Sequence, residues 1–384
     1  MGNENLRNAK VAKNDEFYTQ YPDIQKEINA YLEYDPNVFK DKSILLPCDD
    51  PEWSNFTKFF AQNFDNFGLK KLISTSYAKA SKLKLYGQMD LFEDTDYITK
   101  DPNYQSNIDA EKGKIFTLTR KNKKVDINDL KWEYLDGDGD FRSDEIKKLR
   151  DEADYIITNP PFSMFREFIS WVKESSKGFL VIGNINAITY KEVFPLIKEN
   201  KMWLGATGFM TDMVFEVPKG TEIKKSDKDK AERLGYKGNY TRLGNSCWFT
   251  SLEHGRRHQP LQLMSMADNI KFNKKLKDPK YPKYANYDAI EIGAINAIPS
   301  DYDGVMGVPI TFLDKYCPEQ FEILGLTCTA ETMLNPVRLG EDFITEYRRQ
   351  GGTGHVSANM YGVCYYGENG QAKVPYGRIL IRRK

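Results

Sequence analysis

The stretch Tyr155-Ile156-Ile157-Thr158-Asn159-Pro160-Pro161-Phe162 joins a short apolar run to a stiff turn, and residues 164–172 behind it have the spacing of an amphipathic helix. Such a run reads as a buried strand of an α/β sheet, with the turn at the strand's carboxyl end, where open sheets of this kind bind ligands. Neither proline has an N–H and each has a fixed φ, so their carbonyls are left to accept from a ligand. Asn159 adds a side-chain amide oxygen beside them. Paired acceptors suit one substrate group in particular. An exocyclic aromatic amine such as adenine N6 delocalises its lone pair into the ring, and acceptors on both N–H groups pull that pair back. Phe162 would then stack on the base. Without a substrate, the same residues also make an ordinary strand-ending turn with an aromatic plug.

Upstream, residues 23–34 place Ile24, Ile28, Tyr31 and Leu32 on one helical face. Residues 43–47 form a strand around Ile44-Leu45-Leu46, Ser54 caps a helix through Phe56, Phe59, Phe60 and Phe64, and residues 70–76 give a second strand. Strand, helix, strand is the opening of a doubly wound sheet. Residues 85–135 are irregular, with a hairpin insertion at 115–118 and 132–135. A helix at 143–152 leads into the quoted strand, followed by a helix at 165–174, a strand at 178–182 and a helix at 191–200. Alternating segments at 208–217 and 246–252 complete a mostly parallel sheet with antiparallel strands at its end. Apolar patterning resumes at 289–299 and 304–312, and the chain closes on the strand Arg378-Ile379-Leu380-Ile381-Arg382. The expected organisation is a catalytic domain at 1–217, a basic segment at 218–285 and a smaller lobe at 286–384.

At 384 residues with 40% hydrophobic content, the chain has enough apolar side chains for a packed core. No apolar run reaches the roughly 18 residues of a membrane span. The polar N-terminus lacks the apolar stretch of a signal peptide, so a cytoplasmic protein is expected. Cysteines at 48, 247, 317, 328 and 364 form no CxxC pair and the three histidines have no ligand spacing, so neither disulfides nor a metal site is expected. Acidic and basic residues balance overall, yet residues 1–160 carry an acidic excess and residues 219–284 a basic one. A basic segment beside an acidic catalytic half suits a phosphate-binding surface attached to a cofactor-binding domain, although residues 219–237 also read as a solvated lysine-rich loop.

Methyl transfer to an amine requires an activated methyl, and S-adenosylmethionine is the usual donor. Three segments suit it. Pro47-Cys48-Asp49-Asp50, with Asn55 behind it, offers a carboxylate for the methionine ammonium. In Gly139-Asp140-Phe141, Asp140 can accept from the donor's adenine amine while Phe141 packs beside it. The cluster Asp15-Glu16-Phe17-Tyr18-Thr19-Gln20 can cap the methionine end. No GxGxxG and no Walker loop is present, which disfavours dinucleotides and triphosphates but is tolerable for a donor without phosphate. Residues 72–76 lack the acidic residue often found after a second strand, so the ribose partner stays unassigned.

The chain resembles the EcoRI-type family of DNA adenine-N6 methyltransferases. The resemblance rests on residues 15–20, ILLPCDDPEWSNF at 44–56, Gly139 to Phe141, TNPPFS at 158–163, GNSCWFT at 244–250 and DGVMGVPITFLDKY at 303–316. Asn-Pro-Pro-Phe alone is shared with ribosomal-RNA guanine and protein-glutamine methyltransferases; the Pro-Cys-Asp-Asp loop and the DGVMGVPITFL element are the more specific. The resemblance implies a Rossmann-like methyltransferase fold, S-adenosylmethionine as donor, and duplex DNA with a flipped-out adenine as substrate. Asn159 and the Pro160 carbonyl would hold the amine, with Pro161 stiffening the turn and Phe162 on the ring. Asp49 or Asp50, Asp140 and Phe17 would surround the donor. It also implies a restriction-modification role, with any cognate endonuclease acting separately.

Target recognition is expected from the later lobe, with Arg256, Arg257, Lys271, Lys274, Lys275 and Lys277 as candidate DNA contacts. Methylation of RNA bases or of protein glutamine, and an inactive DNA-binding module with the same fold, are the rival readings.

Overall fold

A computed structural model of the protein describes residues 17–78, 108, 111–120, 132–209, 213–217, 223–274, 276 and 281–384. Asp15, Glu16, Lys275 and Lys277 lie outside the described residues. Packing divides the chain into two compact units, one formed by Met1–Ala187 with Leu204–His254 and the other by Ile188–Trp203 with Gly255–Lys384.

In chain order the strands up to residue 254 are β1 (Tyr18–Thr19), β2 (Ser43–Leu46), β3 (Lys71–Thr75), β4 (Lys114–Thr119), β5 (Trp132–Tyr134), β6 (Tyr155–Thr158), β7 (Gly178–Asn184), β8 (Trp203–Leu204), β9 (Val214–Glu216), β10 (Tyr240–Arg242) and β11 (Ser246–Thr250). Eight of them form one sheet in the order β5-β4-β3-β2-β6-β7-β11-β8. At its centre β2 runs parallel to β3 and to β6, and β6 runs parallel to β7. These short runs are apolar without alternation because both of their faces are covered; every residue of β2 is buried. Along the order β3-β2-β6-β7 the direction of chain growth reverses between β2 and β6. Such a switch point opens a crevice at the strands' carboxyl ends.

Two departures from the sequence reading concern this sheet. Antiparallel strands flank it on both sides, because the hairpin β4–β5 adds to the outer edge of β3 while β11 pairs with β7. Within the segment expected at 208–217, Val214–Glu216 does not join this sheet. As β9 it lies between β1 and β10 in a separate three-stranded sheet, and Phe215 from it is fully buried in the core. The expected helix at 191–200 is confined to Phe194–Lys198, with Pro195 in its first turn, where a missing N–H costs no helical bond.

The helix Tyr21–Tyr34 buries Ile24, Ile28 and Tyr31 as its apolar spacing requires, and Glu27 on the same face. Glu27 is fully buried and accepts from the Tyr31 hydroxyl at 2.8 Å, the Ala206 N–H at 2.7 Å, the Thr207 N–H at 2.8 Å and the Thr207 hydroxyl at 2.6 Å. Burial pushes its carboxyl up, and these four donors pull it back only in part. The helix Asn55–Gln62 begins where the Ser54 hydroxyl accepts from the Phe56 N–H at 3.0 Å. Its Phe56, Phe59 and Phe60 pack with Ile44, Leu46, Ile157, Leu180, Ile182 and Trp248 in the core.

The second unit carries β12 (Ile290–Glu291), β13 (Met306–Pro309), β14 (Phe321–Leu326), β15 (Tyr365–Tyr366), β16 (Ala372–Lys373) and β17 (Arg378–Arg383). Its four-stranded sheet has the order β12-β13-β17-β14, so the C-terminal strand is internal and Ile379, Leu380 and Ile381 are fully buried. Arg378 opens β17 and is clamped by Glu291, Nη2 to Oε1 at 2.6 Å, while the Tyr284 hydroxyl donates to the same carboxylate. Among the described residues, no helix is long and apolar enough to cross a membrane.

Candidate active site

β2 delivers the Pro47–Asp50 loop and β6 delivers the Asn159–Phe162 loop to the carboxyl edge of the sheet, on the two sides of its switch point. Asp49 spans the gap. One carboxylate oxygen accepts from the Ser54 hydroxyl at 2.6 Å and the other from the Thr158 hydroxyl at 2.6 Å. Burial pushes this carboxyl up to about 7, with the neighbouring Asp50 adding to the rise, while the Ser54 and Thr158 hydroxyls oppose it. Its backbone is fastened too. The Asp49 N–H donates to the Thr75 carbonyl at 3.0 Å, and the Ser74 hydroxyl donates to the Asp49 carbonyl at 2.5 Å. Asp50 is half-buried, and its carboxylate accepts from the Glu52 N–H at 2.9 Å. Cys48 is half-buried in the same loop.

The N-terminal cluster meets the Pro-Pro loop directly. The Asn159 amide nitrogen donates to the Phe17 carbonyl at 2.6 Å, and the Phe17 and Phe162 rings lie 5.5 Å apart at 34°. Asn55 ties the next part of the cluster down by donating to the Thr19 carbonyl at 2.8 Å. Tyr18 pairs with Glu216 in the small sheet. Among the described residues, two buried oxygens here have no hydrogen-bond partner, Oδ1 of Asn159 and Oγ1 of Thr19. An unsatisfied buried acceptor costs about 1–3 kcal/mol, a cost that a ligand's donor at this edge would remove.

The third segment arrives through glycines. Gly139 has φ +81°, and a Cβ on it, or on Gly113 beside it, would run into the Ser76 carbonyl. The Ala78 N–H donates to the Asp138 carbonyl at 2.7 Å, so the loop is laid along the end of β3. Asp140 receives Arg142 through Nε at 2.9 Å and Nη2 at 2.6 Å. Burial raises this carboxyl, but the bonds and charge from Arg142 outweigh it and leave it below the ordinary aspartate range. Phe141 packs into the core, 5.3 Å from Phe168 and 5.6 Å from Trp171. Close by in the fold, Lys114 and Glu52 form a largely buried ion pair, with the Lys114 ammonium 4.3 Å above the Trp132 ring.

The structure thus brings Phe17, Tyr18, Thr19, Asp49, Asp50, Asn55 and Asn159 to Phe162 to one edge of the sheet. Ser54, Thr158 and Ser74 have hydroxyls that hold Asp49; the sequence pointed to Ser54 as a helix cap, which it is, but gave no sign that any of the three meets Asp49. Their signal was a concentration of Ser and Thr at strand ends, which also looks like ordinary capping.

The basic candidates fare differently. Arg256 pairs with Asp314 at 2.5 Å; Arg257 is buried, 3.6 Å from the Trp203 ring, and donates to Asn200 at 3.0 Å. Lys271 and Lys274 are exposed. Within the stretch expected as a basic loop, Lys225–Arg233 forms a helix exposing Lys225, Lys228, Lys230 and Arg233.

A family model described as the adenine-specific methyltransferase EcoRI matches residues 5–384. The chain is 41% identical to the Type II methyltransferase M.EcoRI of Escherichia coli, over 84% of this chain and 89% of that one. It is 33% identical to the Type II methyltransferase M.MpnI of Mycoplasma pneumoniae, over 98% and 97% of the two chains. A third relative, the Type II methyltransferase M.MgeORF184P of Mycoplasma genitalium, is 34% identical over 86% and 88%. No solved structure matches. Since the family model spans residues 5–384 and the M.MpnI match covers 98% of the chain, rather than one motif, the chain belongs to the EcoRI adenine-specific methyltransferase family.

Proposed function

We propose that the protein is a site-specific DNA methyltransferase that moves a methyl group from S-adenosylmethionine to N6 of an adenine flipped out of duplex DNA, the modification activity of a restriction-modification system. On this reading the eight-stranded sheet is a Rossmann-like methyltransferase domain and the second unit recognises the target. The observation that carries it is the Asn159 amide: Nδ2 is committed to the Phe17 carbonyl, which fixes Oδ1 as a buried acceptor with no donor among the described residues. An exocyclic N–H is the donor that fits. Asn159 and the Pro160 carbonyl hold the two N–H groups, and Phe162 supports the ring, offsetting the few kcal/mol that extrusion of the base costs.

The crevice suits the donor in chemical character. Asp50 offers negative charge, the Thr19 hydroxyl is buried without a partner among the described residues, and the loop after β2 has no glycine-rich phosphate cradle. When bound, S-adenosylmethionine supplies an electrophilic methyl on a sulfonium. The protein's own contribution is position and electrostatics: two acceptors localise the amine lone pair, and no nucleophilic side chain is required.

DNA contact is supported by exposed Lys271 and Lys274 and by a groove of about 470 Å³ in the second unit. Tyr347, Gln371, Lys373, Tyr376 and Arg378 line it, and no lining residue is acidic. The groove is built firmly. Arg348 donates to the carbonyls of Gly352 and Gly354 at 2.7 Å each, and Gln350 accepts from the Ala372 N–H at 2.7 Å. Aromatic rings beside the Lys373 ammonium suit a polyanion with stacked bases, while Arg378 is held by Glu291.

The test is transfer of labelled methyl from S-adenosylmethionine to unmethylated genomic DNA and to RNA, with nucleoside analysis and base-resolved mapping. N6-methyladenine at one short DNA motif is expected; label in RNA or protein with none in DNA would overturn the substrate assignment.

A further inference from the structure

Asp49 is 5% exposed, and each of its carboxylate oxygens already accepts from a hydroxyl of the fold, Oδ1 from Ser54 and Oδ2 from Thr158. Asp50, one residue on, is the more exposed of the pair. The two carboxylates therefore have different work. We propose that Asp49 is a positioning residue, which locks the loop after β2 to the loop after β6 and so sets where Asn159 and the Pro160 carbonyl stand relative to the methyl donor. The inference rests on the reading of the site as an amine methyltransferase centre.

Three features make Asp49 a rigid reference rather than a loose contact. Its N–H and carbonyl are bonded to Thr75 and Ser74, and the Ser74 hydroxyl lies 2.6 Å from that of Thr57 in the first turn of the following helix. Its Oδ1 partner, Ser54, is the N-cap of that helix. Its Oδ2 partner, Thr158, is fully buried, has a β-branched side chain with few rotamers, and immediately precedes Asn159. Because adjacent Cα atoms are about 3.8 Å apart, a displacement of Thr158 moves Asn159 with it. Burying a carboxylate is costly unless its bonds are well formed. An apolar contact could have joined the two loops at lower cost, but it would not fix distance and direction as two 2.6 Å hydrogen bonds do. In-line transfer is sensitive to this: a misplacement of about 1 Å can lower the rate about 100-fold.

The test compares Thr158→Val, which keeps shape but removes the hydroxyl, with Thr158→Ser, which keeps the hydroxyl. Thr158→Val should lower kcat about 10- to 100-fold, with the Kd for S-adenosylmethionine and the KM for DNA each within about three-fold of wild type. Thr158→Ser should recover most of the loss. Wild-type kcat in Thr158→Val, or equal impairment of the two variants, would overturn the proposal. Should Thr158→Val not fold, Asp49→Asn carries the same test: its NH2 group must face one of two donors, and an unchanged kcat would be decisive against the strut. All values are read as ratios to wild type on whichever acceptor takes the methyl. Failure of wild type on DNA would thus overturn the substrate assignment and leave the strut tested separately.

Discussion

Two carboxyl groups next to each other in sequence, Asp49 and Asp50, differ because one is enclosed by the switch point and the other is not. Nothing local distinguishes them: the partners of Asp49 include Thr158, 109 residues away. This is why the loop, the strand before it and the helix after it were legible in the sequence while the roles of the two acids were not. The raised Asp49 carboxyl has a thermodynamic consequence. Its value of about 7, against 3.8 for the free group, means that the folded protein binds this proton more tightly than the unfolded chain. The associated stability is complete below about pH 4 and is lost as pH rises through 7. Burial raises Asp23, to about 6, and Glu27 in the same sense. Wild type should therefore lose stability between pH 5 and 7 more steeply than Asp49→Asn, the difference approaching at most about 1.4 kcal/mol per pH unit. Urea unfolding at the two pH values measures it; identical slopes would contradict the assignment of that proton to Asp49.

At the scale of elements, apolar runs and helical periodicity located β2, β3, β6, β7 and the long helices, because those signals are local. What they could not supply was pairing. β9 looks like a strand of the main sheet, but it lies between β1 and β10, where Phe215 packs at 5.8 Å against Phe17. The helix Tyr21–Tyr34 shows the same limit from the other side. Its apolar face was plain, yet the burial of Glu27 on that face depends on donors from the loop at 205–207, which periodicity within the helix does not show. Glu27→Ala should destabilise the protein by at least about 2 kcal/mol, since several buried donors lose their acceptor at once. Glu27→Gln should cost less, because its amide oxygen still accepts. Thermal or chemical unfolding of the two variants checks the order, and equal loss would show that charge rather than bonding matters there.

For the whole molecule, zero net charge conceals where cations are displayed. Arg256 and Arg257, expected from the sequence as DNA contacts, serve packing within their unit, whereas the groove around Tyr376 became visible only when residues 347 to 378 were folded together. Tyr376 is 91% exposed, between Pro375 and Gly377. Replacing Tyr376 with Ala and Lys373 with Gln should weaken DNA binding several-fold and leave S-adenosylmethionine binding intact, as titration of each ligand would report. Lys271→Gln with Lys274→Gln should flatten the plot of log affinity against log salt by about 2, one contact per lysine. An unchanged slope would remove both from the DNA surface.

The central claim is that Asn159 presents an acceptor to the substrate amine, and single-turnover methyl transfer by Asn159→Ala tests it most directly. With labelled S-adenosylmethionine and unmethylated DNA, the account expects N6-methyladenine to form about 100- to 1,000-fold more slowly than in wild type, with donor binding largely kept. Transfer at the wild-type rate would contradict it.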